Sequence, residues 1–213
     1  MLNSKGFDLW ANGYDKSVNL SEENNEYPFA GYKDVLNYIY NQVRENSCSS
    51  VLDIGFGTGV LTTQLYNKGY HITGIDFSSS MIDIAKKKMP DATLINWDFT
   101  SGLPAEIISN KYDYIISTYA IHHLSDKEKI EFIKSLSKLL NINGEILIGD
   151  VSFETSKELD ECREIYKEIW DNEEFYFVAN VMMKSLNELY CNYEKISYCS
   201  GVLTVANKNS GEN

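Results

Sequence analysis

Between residues 50 and 151 the apolar positions of the chain switch repeatedly between two periods. "SVLDI" has the length and β-branched content of a short buried strand, and residues 58–67 follow as a helix with Leu61 and Leu65 four apart. "YHITGID" (70–76) is a second strand. In "SSSMIDIAKKK" a serine cap precedes apolar residues at helical spacing, and lysines fill the last turn, where the helix dipole favours them. "ATLINWD" (92–98) and "YDYIIST" (112–118) are further strands. Residues 126–140 put Ile130, Ile133, Leu136 and Leu140 on one helical face, and "NGEILIGDV" supplies a fifth strand. Strands alternating with helices predict right-handed βαβ units, an α/β fold with a mainly parallel sheet covered on both faces.

Two regions lie outside this rhythm. Residues 1–50 have a polar, acidic middle, "NLSEENNEY", then a helix with Val35, Leu36, Ile39 and Val43 spaced to pack on the sheet. Residues 152–190 read as helical, with nine acidic and three basic residues between Glu154 and Glu174, the pattern of a solvated helix face. The last strand-like runs, "YEKISYC" and "GVLTVAN", meet so tightly at Ser200–Gly201 that they predict an antiparallel hairpin. No internal repeat or second domain is visible.

Composition narrows the partners. A chain of 213 residues is long enough for one domain with a substantial core. Its net charge of −12 offers no basic footprint for nucleic acid or for an anionic membrane surface. No stretch approaches the ~20 apolar residues of a membrane span. The first residues lack the layout of a secretory signal, so the expected location is cytoplasmic. Cys48, Cys162, Cys191 and Cys199 form no CxxC pair and no spacing with histidine that suits a metal, so thiols and no bound metal are expected.

The candidate chemistry starts at "VLDIGFGTGVL", a strand running into a glycine-rich turn before a helix. A dinucleotide loop, G-x-G-x-x-G, would need glycine at position 60, where Val60 stands; the pattern here is D-x-G-x-G-x-G from Asp53 to Gly59. The Asp53 carboxylate would repel a pyrophosphate and attract a cationic ligand. Asp76 ends the second strand, where a carboxylate can accept hydrogen bonds from both hydroxyls of a ribose. Phe77 can lie against an adenine face, and Asp98 with Trp97 can take the exocyclic amine and the other face. Asp98 also suits the cap of a following turn, Trp97 also suits the core, and Met81 also suits packing.

"VLDIGFGTG", "GIDFSSSMIDIAKKK", "NWDF" and "YDYIISTYAIHHL" resemble the successive motifs of class I S-adenosylmethionine-dependent methyltransferases. "WANGYDKSV", "FAGYKDVL" and "STYAIHHLSDKEK" are similar to the small bacterial YrrT-type methyltransferases. The resemblance implies a Rossmann-like seven-stranded fold whose last strand runs antiparallel, with helices on both faces. It also implies S-adenosylmethionine as cofactor and S-adenosylhomocysteine as product. On that footing residues 1–213 form a single methyltransferase domain: an N-terminal lid and helix (1–50), a cofactor-binding core (51–151), a helical substrate cap (152–190) and a C-terminal β-hairpin (191–213). Carried over by position, Asp53, Gly55, Gly57 and Gly59 enclose the methionine part, Asp76 holds the ribose, and Phe77 and Met81 flank the base. Asp98 takes the adenine amine with Phe99 beside it, and Tyr14 closes over the cofactor. Phe56 departs from the small or polar residue common in this loop, and its ring is expected to narrow the pocket.

Methyl transfer from a sulfonium asks the protein chiefly for orientation and desolvation, plus a base where the acceptor carries a proton. His122 and His123, just past the fourth strand, are the candidate catalytic residues. Neighbours in a regular element face apart, so one histidine is expected at the substrate and the other in the loop. His71, inside a strand, reads as structural. Tyr119, Trp10 and Tyr32 are candidate substrate walls, with Tyr27 and Phe29 near them. "STYA" lacks the N/D-P-P-Y/F loop of base-amino methylation and the Pro-Cys pair of cytosine methylation, and the scattered cysteines exclude arsenic chemistry. A small metabolite methylated on O, N or S remains, by a monomer or homodimer. Two other readings stay open: a non-catalytic binder of S-adenosylmethionine or its product, and an NAD-dependent oxidoreductase, against which Val60 and Asp53 count.

Overall fold

The computed structural model describes residues 26–45 and 50–208. Helix α1 (Tyr32–Glu45) leads into β1 (Ser50–Ile54), α2 (Val60–Tyr66), β2 (His71–Asp76), α3 (Ser79–Lys88), β3 (Thr93–Asn96) and α4 (Ala105–Ile108). Then come β4 (Tyr112–Thr118), α5 (Asp126–Ser137), β5 (Leu140–Phe153), α6 (Ser156–Ile165), β6 (Phe177–Val178), α7 (Ala179–Ser185), β7 (Leu189–Lys195) and β8 (Ser200–Asn207). The strands lie in the order β3-β2-β1-β4-β5-β8-β7, with the two-residue β6 beside the far end of β5. Strands β1 to β5 pair in parallel, and β8 enters antiparallel between β5 and β7. This is the Rossmann-like class I methyltransferase topology. No described helix is long and apolar enough to cross a membrane.

The sheet buries an apolar layer on each face. On one side Val35, Ile39 and Val43 of α1 and Leu65 of α2 pack with Tyr114 and Ile116; on the other, Ile133 and Leu136 of α5 pack with Ile115 and Ile146. Val35, Ile39 and Val43 are fully buried, each worth roughly 1.5–3 kcal/mol of transfer free energy. Helix α1 sits directly on Gly149 of β5: a Cβ there would press into Val35 and lie 2.9 Å from Ile39 Cδ1. Helix α5 starts with a reciprocal cap between Ser125 and Glu128.

Several expectations are corrected. The hairpin turn is at residues 196–199, where the N–H groups of Ile196 and Ser197 both donate to Ser200 O at 3.0 Å. Ser200 and Gly201 are already in the ladder, opposite Val151 and Asp150, and β7 begins at Leu189 rather than 191. Residues 152–190 are helical only in α6 and α7. Between them the chain is pinned by aromatic packing, with the Tyr27 ring stacked 5.1 Å from Trp170 and edge-on to Tyr176. Leu140 opens β5 instead of closing α5. Trp97 is outside the core, 37% exposed, its Nε1–H donating to Gly102 O at 2.8 Å.

Candidate active site

Strand β1 ends where the chain must turn sharply, and Gly55, Gly57 and Gly59 all have positive φ (71°, 56° and 74°). At Gly55 a side chain is also excluded by contact, since a Cβ would lie 2.6 Å from the Ala120 Cβ. At Gly57 a Cβ would meet nothing within 4 Å. It borders a cleft of roughly 730 Å³, open mouth included, between the strand ends.

Two carboxylates govern the cleft. Asp53 on β1 is 2% exposed; its Oδ2 accepts from the Thr62 hydroxyl, and its Oδ1 is buried with no hydrogen-bond partner among the described residues. Burial pushes its carboxyl up to about 7; the Thr62 hydrogen bond opposes this and the charge of Asp76 adds to it. Asp76, at the end of β2, accepts from the Gly57 N–H at 2.8 Å and the Ser78 N–H at 2.9 Å. It thereby ties the glycine turn to the cap of α3, where Ser78 Oγ accepts from Met81 N at 3.2 Å.

Of the residues singled out from sequence, Tyr32, Asp53, Gly55, Gly57, Asp76, Phe77, Met81, Phe99, Tyr119 and His123 line this cleft. Gly59 caps α2 below it, against Met89 and Ala85. Asp98 is exposed, its Oδ1 accepting from the Thr100 N–H at 2.9 Å and hydroxyl at 2.7 Å, so in this structure it caps a turn. Phe56 borders the cleft but leans on the sheet at Gly74, where a Cβ would lie 2.6 Å from its Cδ1. Trp10 and Tyr14 lie outside the described residues.

A second cavity adjoins the first and shares Tyr119 and His123 as walls; Tyr27, Phe29, His122, Asp171, Glu174 and Tyr176 also line it. Tyr119 takes φ 49°, uncommon for a side-chain-bearing residue, while its N–H donates to Gly149 O at 2.8 Å. The ring is wedged between Tyr32 and Phe29, at 5.0 and 5.6 Å. Beyond it, residues 121–123 form a single 3₁₀ turn instead of a regular strand or α-helix. Both histidines therefore reach this cavity, with ring centroids 4.4 Å apart, contrary to the expected division of labour.

Asp150 on β5 fixes His122 twice, accepting from its backbone N–H at 3.2 Å and lying 2.7 Å from its Nδ1. The opposite nitrogen, Nε2, faces Glu174 Oε1 at 3.7 Å. Burial acts to lower the His122 imidazole, but the charge and hydrogen bond of Asp150, with the charge of Glu174, outweigh it and raise it. Burial, then the charge of His122, brings His123 down to about 4. The Tyr176 hydroxyl donates to Glu174 Oε2 at 2.5 Å and lies 2.6 Å from the Tyr27 hydroxyl.

A family model described as a methyltransferase domain matches residues 51–144. A protein of Oceanobacillus iheyensis named an uncharacterized methyltransferase is 41% identical over 151 residues, 71% of this chain and 68% of that one. The chain belongs to the methyltransferase family. Among solved structures, magnesium protoporphyrin IX methyltransferase from Synechocystis, with bound SAH, is similar at a TM-score of 0.66 and 19% identity, over 84% of this chain and 85% of that one. The DhpI–SAH complex is similar at 0.67 and 16%, over 96% and 94%.

Around the two cavities of this methyltransferase stand residues that the sequence did not single out. Thr62, Asp150, Asp171, Glu174 and Tyr176 all face one cavity or bond to a group that does. Asp150 had a readable signal, an acid deep in the fifth strand. Glu174 and Tyr176 had none, because they arrive through an irregular return of the chain after α6.

Proposed function

We propose that this protein transfers a methyl group from S-adenosylmethionine to O, N or S of a small molecule lodged in the second cavity. The observation that carries the donor assignment is the buried Asp53 Oδ1 beside the glycine turn. A buried carboxylate oxygen with no partner favours a ligand that brings a positive donor, and the ammonium of the methionine part supplies one. Asp76 lines the cleft at the end of β2, where its carboxylate would receive the ribose hydroxyls, and Phe77 and Met81 border the place of the base. When bound, the cofactor supplies an electrophilic methyl on a sulfonium that is displaced in line.

The remaining work belongs to the chain. Both cavities share Tyr119 and His123, so an acceptor in the second would lie beside a donor in the first. The surrounding aromatic rings exclude water. The proton of a hydroxyl or ammonium acceptor leaves at the wall built from His122, His123 and Glu174. Supporting a small acceptor are the volume of the second cavity, roughly 730 Å³ with its open mouth included, and its aromatic lining.

Calorimetry with S-adenosylmethionine, S-adenosylhomocysteine and NAD tests the donor. Binding of the first two and not of NAD is expected; binding of NAD alone would overturn the reading. Incubation with methyl-labelled donor and a metabolite extract, followed by mass spectrometry, should give a labelled small product. Tight donor binding with no labelled product would favour a non-catalytic binder.

A further inference from the structure

A ring nitrogen and a carboxylate oxygen face each other across the second cavity. His122 Nδ1 lies 2.7 Å from Asp150 Oδ1, which aims the opposite nitrogen, Nε2, at Glu174 Oε1, 3.7 Å away and beyond direct hydrogen-bond distance. A ring nitrogen of His123 completes a set of three ligand atoms that all lie within 4.8 Å of one another.

We infer that His122, His123 and Glu174 form a binding site for one divalent transition-metal cation of the zinc class, with its fourth position open to the acceptor cavity. Zinc holds histidine nitrogen and carboxylate oxygen at about 2.0–2.2 Å, which sets neighbouring ligand atoms about 3.4 Å apart in a tetrahedron. The 3.7 Å gap is close to that spacing. Two histidines and a glutamate with one vacant position is a donor set of catalytic zinc sites.

The supporting shell points the same way. Asp150 fixes the orientation of His122, the carboxylate–histidine arrangement that accompanies metal ligation. Glu174 is held by the Tyr176 hydroxyl on its other oxygen, and its neighbour Phe175 donates its N–H to His122 O at 2.8 Å. Lys129 bridges the same two segments by donating to Leu124 O and Phe175 O, with Asp126 Oδ1 3.7 Å from its ammonium. With the cation bound these three side chains are ligands and not the proton acceptor, so the cation's part in methyl transfer, lowering the affinity of a bound acceptor atom for a proton that then leaves to water, rests on the reading above. Its binding does not.

The test uses the full chain, stripped with chelator and titrated with zinc chloride in the absence of cofactor. Calorimetry should show one equivalent, with affinity reduced at least tenfold in Glu174→Gln and in His123→Ala; His71→Ala should behave as the parent. Cooperative thermal melting certifies that each variant is folded. Cobalt should give visible d–d absorption without a thiolate charge-transfer band, which excludes the cysteines. No stoichiometric uptake, or uptake unchanged in Glu174→Gln, would overturn the site. A protein that takes zinc and no S-adenosylhomocysteine would sink the methyl-transfer reading alone, and the reverse result would sink the metal site alone.

Discussion

The Asp76 carboxylate receives the Gly57 N–H with one oxygen and the Ser78 N–H with the other, at 2.8 and 2.9 Å. One side chain therefore sets both the glycine turn and the start of α3, and the same carboxylate, at the edge of the cleft, is proposed to receive the ribose. Asp76→Ala removes charge-assisted bonding to the ribose worth about 1.5–3 kcal/mol. S-adenosylhomocysteine should bind roughly ten- to a hundredfold more weakly by calorimetry. Unchanged affinity would exclude the ribose role.

The Asp53 carboxyl gives a signed pH dependence. Its folded value of about 7 lies above the unfolded value near 3.9. Between those two values the folded chain keeps a proton that the unfolded chain has released, so this group makes stability fall as pH rises, levelling off above 7. Asp53→Asn should remove that slope in urea titrations run from pH 4.5 to 7.5. Ligand binding acts in the opposite sense, since an ammonium beside Oδ1 favours the charged form. At pH 6 S-adenosylhomocysteine should release a proton from the parent protein and none from Asp53→Asn, read from calorimetry in two buffers of different ionisation enthalpy.

The parallel core was legible because each strand from "SVLDI" to "NGEILIGDV" announces itself by its apolar run, and each helix by its own period and cap. The strand ends carrying Asp53 and Asp76 followed from the same pattern. Trp97 was misplaced because alternation within "ATLINWD" continues one step past the last paired residue, Asn96. The two histidines were assigned opposite directions because a dipeptide does not reveal a 3₁₀ turn. Glu174 could not be foreseen at all. Its position depends on Tyr176, Phe175 and Lys129 gathering one irregular segment against the histidine turn, a long-range arrangement with no local period.

Gly149 tests how the first helix supports the site. A methyl group there overlaps Val35 and crowds Ile39, so Gly149→Ala should cost about 1–3 kcal/mol of stability. Because α1 also brings Tyr32 to the cleft, displacement of the helix should weaken cofactor binding as well. A variant that melts like the parent would mean that α1 moves on the sheet without penalty.

Tyr176→Phe separates the two cavities. The ring stays available for its contacts with Tyr27 and Trp170, so the fold should persist, with about 1–3 kcal/mol lost at the Tyr27 hydroxyl. The hydroxyl that steadies Glu174 Oε2 is gone, which frees the carboxylate to turn away from His122. Tyr176 is a positioning residue in this scheme, and it borders the acceptor cavity, not the cofactor cleft. S-adenosylhomocysteine affinity should stay within about twofold of the parent, while zinc affinity and turnover of the labelled product should each fall about tenfold, the lower end of what loss of a supporting partner costs a metal site. Loss of cofactor affinity in this variant would mean that the two cavities are one site, and that the boundary drawn at Tyr119 and His123 is misplaced.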